Sequence, residues 1–345
     1  MTAPRKRLLQ TALKLIVGLT LLALIAGAGY EELGRRRDRR LLPPIGQAVD
    51  IGGRALHLNC GGTGSPTVIL ASGAATPGYT WLPIQSELAQ SIHTCWYDRA
   101  GEGWSDPGPY PPTSGADARD LHTLLHGAAV PPPYLLVGHS LGGLDVRIFA
   151  GLYPDEVAGV VLVESAHEDE PRRAPAAYLG PRPPRYAWFP LHLLFRLCAR
   201  VGLIRALSPP ITLAQPADRT VDQVVAALRR QPQAVASYSS RGVVSPDSYA
   251  EAHAAAGLGD RPLIVLTRGR PAPHPPLTPE EEESAAYEEV WMHELQPQLA
   301  RLSTRGRQVI VASSGHRIPD EAPGAVIDAV REVLSQVRRM RRVGP

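Results

Sequence analysis

The sequence predicts an α/β fold: a mostly parallel sheet with helices on both faces, a helical insertion late in the chain, and a transmembrane helix at the N-terminus. Three observations carry this. Short apolar runs of strand length alternate with helical patterns from about residue 54 onward; the alternation breaks over residues 166–260; and residues 15–30 contain no charge. With 345 residues and 44% hydrophobic content, the chain can bury one large core, so one catalytic domain carrying an insertion is the economical organisation.

The N-terminal segment, residues 1–30, begins with Arg5-Lys6-Arg7 and continues into LIVGLTLLALIAGAGY. From Leu8 to Tyr30 it is long enough to cross a bilayer if Lys14 snorkels. A water-facing helix would keep a polar side, and none remains after Lys14. An uncleaved signal anchor is expected; cleavage near Ala26-Gly27-Ala28, giving a secreted protein, is the alternative. Basic residues flank both ends and are denser after the helix, so charge bias alone would put the domain inside. An N-terminal single span feeding an enzyme commonly sends it outward. Residues 31–49, charged and interrupted by Pro43-Pro44, read as a linker.

Net charge is +3, and the basic residues are nearly all arginine. Nine of them fall within residues 1–40 and four more are Arg338, Arg339, Arg341 and Arg342, which leaves the body net acidic. That excludes a basic nucleic-acid footprint, and the flanking arginines suit anionic lipid headgroups instead. The three cysteines lack metal-site spacing, so neither a metal nor an organic cofactor is implied.

Taken in order, RALHLNC at 54–60 alternates as a strand and turns at Asn59-Cys60-Gly61-Gly62. TVILAS at 67–72 is a buried strand. A helix at 82–91, a strand at 92–98 and a Gly/Pro-rich loop to Ser114 follow. Residues 117–126 are helical, 134–137 a strand, and the helix after Ser140 stops at Pro154. The strand 160–163 closes the first part of the core, residues 50–165. The insertion, 166–260, has helical patches at 186–199, 220–230 and 247–256. The second part, 261–338, supplies a strand at 262–267, a helix at 279–302, a strand at 308–312 and a helix at 322–338, before a basic tail, 339–345. Glu280-Glu281-Glu282-Glu283 is a solvated helix start, where acids suit the dipole.

Gly138-His139-Ser140-Leu141-Gly142 lies directly between a strand and an apolar-periodic helix. A tight turn there holds a serine in a strained conformation with its hydroxyl exposed, and the flanking glycines let backbones approach. Ser140 is the candidate nucleophile. It needs a base, and His316 follows the strand at 308–312 and precedes the last helix. His139 is expected to point away into the turn, His57 to be structural, and His253, His274 and His293 to lie in insertion, loop and helix. The third group must orient the imidazole. Residues 268–277 contain no carboxylate, whereas Glu164 ends a buried strand, where an unpaired acid is costly. Glu164 is therefore favoured, with Glu168 or Asp169 as alternatives and a structural ion pair as the non-catalytic reading. An oxyanion hole would take the Leu141 amide and that of Ala74, or alternatively Ala75.

Together these residues resemble the α/β-hydrolase superfamily, in its capped branch of carboxylesterases, proline iminopeptidases, haloperoxidase-like enzymes and epoxide hydrolases, over residues 46–337. Tyr97-Asp98-Arg99-Ala100-Gly101-Glu102-Gly103-Trp104-Ser105-Asp106 is similar to the stretch after that family's fourth strand. Ser72-Gly73 stands where the family often has His-Gly. The resemblance implies an eight-stranded sheet with a helical cap after strand 6. It implies a triad of Ser140, Glu164 and His316, with Leu141 and Ala74 as oxyanion donors and the acid moved to the sixth strand. The family's sheet order sets Cys60 beside Cys95, and a disulfide there would mark an extracytoplasmic domain.

A serine nucleophile argues against epoxide hydrolase and haloalkane dehalogenase chemistry, which use aspartate. The expected activity is carboxylic ester hydrolysis on a small molecule. An amidase or aminopeptidase would need an acidic cap residue for the substrate amine, and the sequence locates none. A non-catalytic binding protein is the remaining class. Trp188, Phe189, Phe195 and Tyr238 are candidates for an acyl pocket or for cap packing.

Overall fold

The computed structural model describes residues 3–109, 112–175, 185–208, 220–241, 245–270 and 278–343. Eight strands form one sheet: β1 (Gln47–Asp50), β2 (Ala55–Gly61), β3 (Thr67–Ala71), β4 (Thr94–Tyr97), β5 (Tyr134–His139), β6 (Val157–Val163), β7 (Leu263–Arg268) and β8 (Gly306–Val311). Their spatial order is β1-β2-β4-β3-β5-β6-β7-β8. β2 runs antiparallel to both neighbours and every pairing from β4 to β8 is parallel.

A parallel sheet buries both faces, which explains why its strands are apolar runs rather than alternations. In β3, Ile69 and Ala71 pack on one side with Leu136, Leu162 and Phe149, while Val68 and Leu70 pack on the other with Trp81, Val137 and Val161. The helices of the core are α2 (Leu82–Leu88), α3 (Ser114–Gly127), α4 (Leu141–Leu152) and, further on, α11 (Pro279–Val290), α12 (Gln296–Ala300), α13 (Ile318–Glu321) and α14 (Pro323–Val343). In α14, Val326, Val330, Val333 and Val337 form one buried stripe at spacings of four and three, as an amphipathic helix on a sheet requires. Burying each such side chain contributes about 1.5–3 kcal/mol. Thr278 and Glu281 form a capping box at the start of α11, so one acid of the Glu280–Glu283 run closes the helix start.

Between β6 and β7 the described residues form α5 (Glu170–Arg173), α6 (Arg185–Arg200), α7 (Leu203–Leu207), α8 (Val221–Arg229), α9 (Pro232–Arg241) and α10 (Pro246–Ala254).

Three boundaries differ from the sequence reading. The first helix, α1 (Ala3–Leu41), passes through most of the expected linker. Glu32–Arg36 and Glu32–Arg35 ion pairs hold its surface, and Arg205 of α7 clamps Glu31 and Asp38, until Pro43-Pro44 ends it. The sheet begins at Gln47 rather than 50, because β1 pairs with β2. The expected tail is helical to Val343. Over Gln10–Leu41, α1 is long and apolar enough to cross a membrane.

Candidate active site

β5 ends at His139 and α4 begins at Leu141, so Ser140 alone makes the turn, at φ 53° and ψ −120°. That left-handed conformation costs about 1–3 kcal/mol and is held by its surroundings. The surroundings are backbone: a Cβ on Gly142 would lie 2.5 Å from the Ala71 carbonyl oxygen, and one on Gly138 would strike the Gly142 carbonyl.

His316, in the loop between β8 and α13, reaches both partners. Its Nε2 lies 3.2 Å from Ser140 Oγ and its Nδ1 lies 3.1 Å from Glu164 Oε2. With Glu164 ionised, Nδ1–H donates to the carboxylate and Nε2 is left to accept from the serine hydroxyl.

Glu164 follows the last residue of β6 at φ 46° and is wholly buried. Four donors surround it. The Arg268 amide (2.9 Å) and Trp291 Nε1 (3.1 Å) reach Oε1; Arg268 Nη1 (2.9 Å) and His316 Nδ1 reach Oε2. Burial pushes this carboxyl upward, but the His316 hydrogen bond and the Arg268 charge outweigh burial and hold it below its ordinary value. The alternatives are engaged elsewhere: Glu168 pairs with Arg147 at 2.6 Å, and Asp169 with Arg172 at 3.2 Å.

The loop after β3 carries the candidate oxyanion donors. The Ala75 amide donates to Glu102 Oε1 at 3.2 Å, which occupies that alternative. Arg99 donates to the carbonyls of Ser72 and, at 3.1 Å, Gly73, and so ties down the chain just before Ala74. Arg99 is itself buried and sits 2.6 Å from Asp145. Burial pushes the Asp145 carboxyl up to about 6, against the opposing Arg99 charge. The Leu141 amide opens α4, where helix N–H groups have no intrahelical acceptor.

Several residues escaped sequence reasoning. His139 does not point away: its Nε2 donates to the His316 backbone carbonyl at 2.9 Å, and the two rings are 5.1 Å apart. Burial, and then repulsion by His316, push its pKa down to about 3, so it acts as a neutral donor. Arg268 stands at the end of β7 and Trp291 on the π-helical turn Trp291–Leu295; the bare loop after β7 was the available signal. His57 is structural as expected, with Nδ1 3.1 Å from Asp98.

A cavity of about 360 Å³ lies beside Ala74, Ala75 and Pro77, under Leu228, Arg229 and Val235 of the inserted helices. Phe195 is 39% exposed on the outer side of α6. The side chains of Trp188, Phe189 and Tyr238 lie outside the described residues. Cys60 and Cys95 face each other across β2 and β4 and are joined by a disulfide with S–S 2.03 Å. Among the described residues, His122, His126 and Glu156 form a separate group whose atoms suit a cation.

The sheet order and the serine turn between β5 and α4 define the class: an α/β-hydrolase fold. The chain belongs to the alpha/beta hydrolase family, which it matches over residues 68–329. An uncharacterised Bacillus subtilis protein, YqjL, is 32% identical over 108 residues, 31% of this chain and 43% of that one. The matched stretch thus spans less than half the length of this curated relative. A thermophilic esterase from Thermogutta terrifontis superposes with TM-score 0.56 at 23% identity, covering 84% of this chain and 98% of that one. An enol-lactonase from Burkholderia xenovorans gives TM-score 0.55 at 20% identity, covering 84% and 100%. At these identities the two structures speak for the fold alone.

Proposed function

We propose that the protein hydrolyses carboxylic esters through an acyl-enzyme on Ser140. The observation that carries this reading is the position of the His316 ring, with one nitrogen on Ser140 Oγ and the other on Glu164. His316 Nε2 takes the hydroxyl proton as Ser140 Oγ attacks the ester carbonyl carbon. The amides of Leu141 and Ala74 meet the oxyanion, and Glu164 stabilises the imidazolium. Collapse of the tetrahedral intermediate breaks the bond to the alcohol oxygen, which leaves with the proton from Nε2. Water, deprotonated by Nε2, then attacks the acyl-enzyme, and Ser140 Oγ leaves with that proton.

The enzyme domain is anchored by α1 and, in this reading, faces an oxidising compartment, which is where the Cys60–Cys95 bond would persist.

The test is hydrolysis of a p-nitrophenyl acyl ester by the full chain. Ser140→Ala and His316→Ala are each expected to lower kcat/KM by roughly three orders of magnitude or more. Full activity in both would overturn the mechanism. Faster turnover of aminoacyl arylamides than of esters would replace the ester reading with an aminopeptidase one.

A further inference from the structure

Helix α6 turns its leucines outward. Leu191, Leu193, Leu194, Phe195 and Leu197 are between 39% and 55% exposed, while His192 and Ala199 on the opposite side are buried. In α7, Leu203 is 45% and Leu207 76% exposed. A water-facing helix reverses this arrangement, and apolar side chains concentrated on two successive helices mark an interaction surface.

What the surface adjoins identifies its occupant. Arg205 of α7 places Nε 2.9 Å from Glu31 and Nη1 2.8 Å from Asp38, on the part of α1 that follows its most apolar stretch. A Cβ on Gly27 would strike the Val201 carbonyl, and one on Gly34 would lie 2.5 Å from Arg205 Nε. Helices α6 and α7 are therefore seated on α1 where its apolar stretch ends. Arg35, Arg39, Arg196 and Arg200 line a cavity of about 590 Å³ at the same place together with Glu31, Glu32 and Asp106, which leaves a small excess of positive charge for anionic headgroups.

We propose that the outer face of α6 and α7 rests in the interface of the bilayer that α1 crosses, with acyl chains against the leucines and headgroup anions at the arginines. Helix α6 packs on α9, whose Val235 helps roof the cavity beside Ala74, so that roof then lies one helix away from lipid, and the esters the site favours are those that partition into the membrane. The surface itself is independent of the chemistry at Ser140; only the substrate preference rests on that reading.

The full chain, with Cys198→Ser, is reconstituted in vesicles of phosphatidylcholine and phosphatidylglycerol. Nitroxide labels are attached at Leu194→Cys, Leu197→Cys and, as a control on the core, Asp155→Cys. The first two are expected to relax with oxygen and the control with an aqueous nickel chelate. Nickel accessibility at Leu194→Cys and Leu197→Cys, with α1 still resistant to carbonate extraction, overturns the proposal. So does dipolar broadening between two labelled copies, which would make the face a self-association surface. In a second arm, Leu194→Asp/Leu197→Asp is expected to lose at least about fivefold on a vesicle-borne long-chain ester and to keep p-nitrophenyl acetate hydrolysis. Equal retention on both overturns the substrate preference; absence of acetate hydrolysis in the parent protein would instead count against the ester-hydrolase reading.

A second inference rests on different residues. His122 and His126 stand one turn apart on α3, and their Nε2 atoms lie 3.1 and 3.2 Å from the same Glu156 oxygen. Ligand atoms about 2.0–2.1 Å from a tetrahedral zinc ion are roughly 3.3 Å apart; the two separations to Glu156 match this, and all three donor atoms lie within 4.8 Å of one another. The His122 ring is fixed by stacking on Tyr153 at 3.7 Å and 8°. Glu156 precedes β6 while Ser140 follows β5, at opposite ends of the parallel strands. We infer a divalent site of zinc class there, completed by water and remote from the chemistry. Titration of the metal-stripped full chain with zinc, followed by calorimetry, is expected to give one site that is weakened at least about tenfold by His126→Ala and by Glu156→Gln, with esterase activity unchanged. Absence of saturable binding, or binding that both variants retain, overturns it.

Discussion

Arg268 holds Glu164 from two directions: its backbone amide donates to Oε1 and its guanidinium Nη1 to Oε2, each at 2.9 Å. The residue ending β7 is thus a cation that fixes the acid following β6. Glu288 takes the other side of the guanidinium at 2.9 Å, and the Trp291 ring lies under it at 5.6 Å. Loss of the side chain leaves a buried carboxylate short of a charged donor, a cost of about 1–3 kcal/mol. Realised in the transition state, that is roughly 5- to 150-fold in kcat. Arg268→Met is expected to show this drop in kcat with little change in KM. Arg268→Lys recovers only part of it, since lysine cannot reproduce the forked contacts to Glu164 and Glu288. Steady-state kinetics across pH on the two variants check the expectation.

His139 supplies a different kind of support. Its Nε2–H props the His316 carbonyl, and burial together with the His316 charge pushes its pKa down to about 3, which leaves the ring neutral near neutral pH. His139→Ala removes one neutral hydrogen bond from the loop that carries His316, the base in the proposed mechanism, worth about 0.5–1.5 kcal/mol. A kcat decrease of roughly threefold to tenfold is expected, with the pH dependence unaltered in shape. A pH profile that gained or lost an inflection in this variant would show that His139 titrates in the reaction, contrary to its neutral state.

The strands and the serine turn were legible because local pattern determines them: apolar runs such as Leu135–Val137 and Val160–Val163 have one role in an α/β chain, and Gly138-His139-Ser140-Leu141-Gly142 joins one of them directly to a helix. Glu164 could be reached by elimination, since the loop after β7 offers no acid. Its partners could not. Arg268 and Trp291 meet it only once β6 and β7 pair and α11 packs back, contacts spanning 104 and 127 residues. The extension of α1 past residue 30 was hidden for the same reason, because the clamp on Glu31 comes from Arg205, 174 residues away. His139 was misjudged because its direction depends on the His316 loop, 177 residues distant.

The Cys60–Cys95 bond joins strands 35 residues apart in sequence. Closing a loop of that length in the unfolded chain is worth about 3–4 kcal/mol by the chain-entropy argument. Cys60→Ala/Cys95→Ala is expected to lose stability of that order in denaturant unfolding, with the activity of the folded fraction retained. In the parent protein, thiol titration under denaturing, non-reducing conditions should find one reactive thiol, Cys198, and three after reduction.

The depressed Glu164 carboxyl also makes a prediction about stability and pH. Its pKa in the folded chain lies below the ordinary glutamate value of 4.5, despite burial, through the His316 hydrogen bond and the Arg268 charge. Between the folded value and 4.5 the unfolded chain binds more protons, so stability rises with pH across that window. The contribution is complete above the unfolded value and is lost as pH falls through the folded one. Glu164→Gln abolishes this titration and removes the carboxylate that pairs with Arg268 Nη1. The variant should therefore be less stable than the parent near neutral pH, by an amount that shrinks steadily as pH is lowered below about 4.5. Urea unfolding of the two proteins side by side, from about pH 7 down to about pH 3, measures that difference while the other carboxylates cancel. A gap that stayed constant over the whole range would mean that Glu164 is not held ionised by its partners.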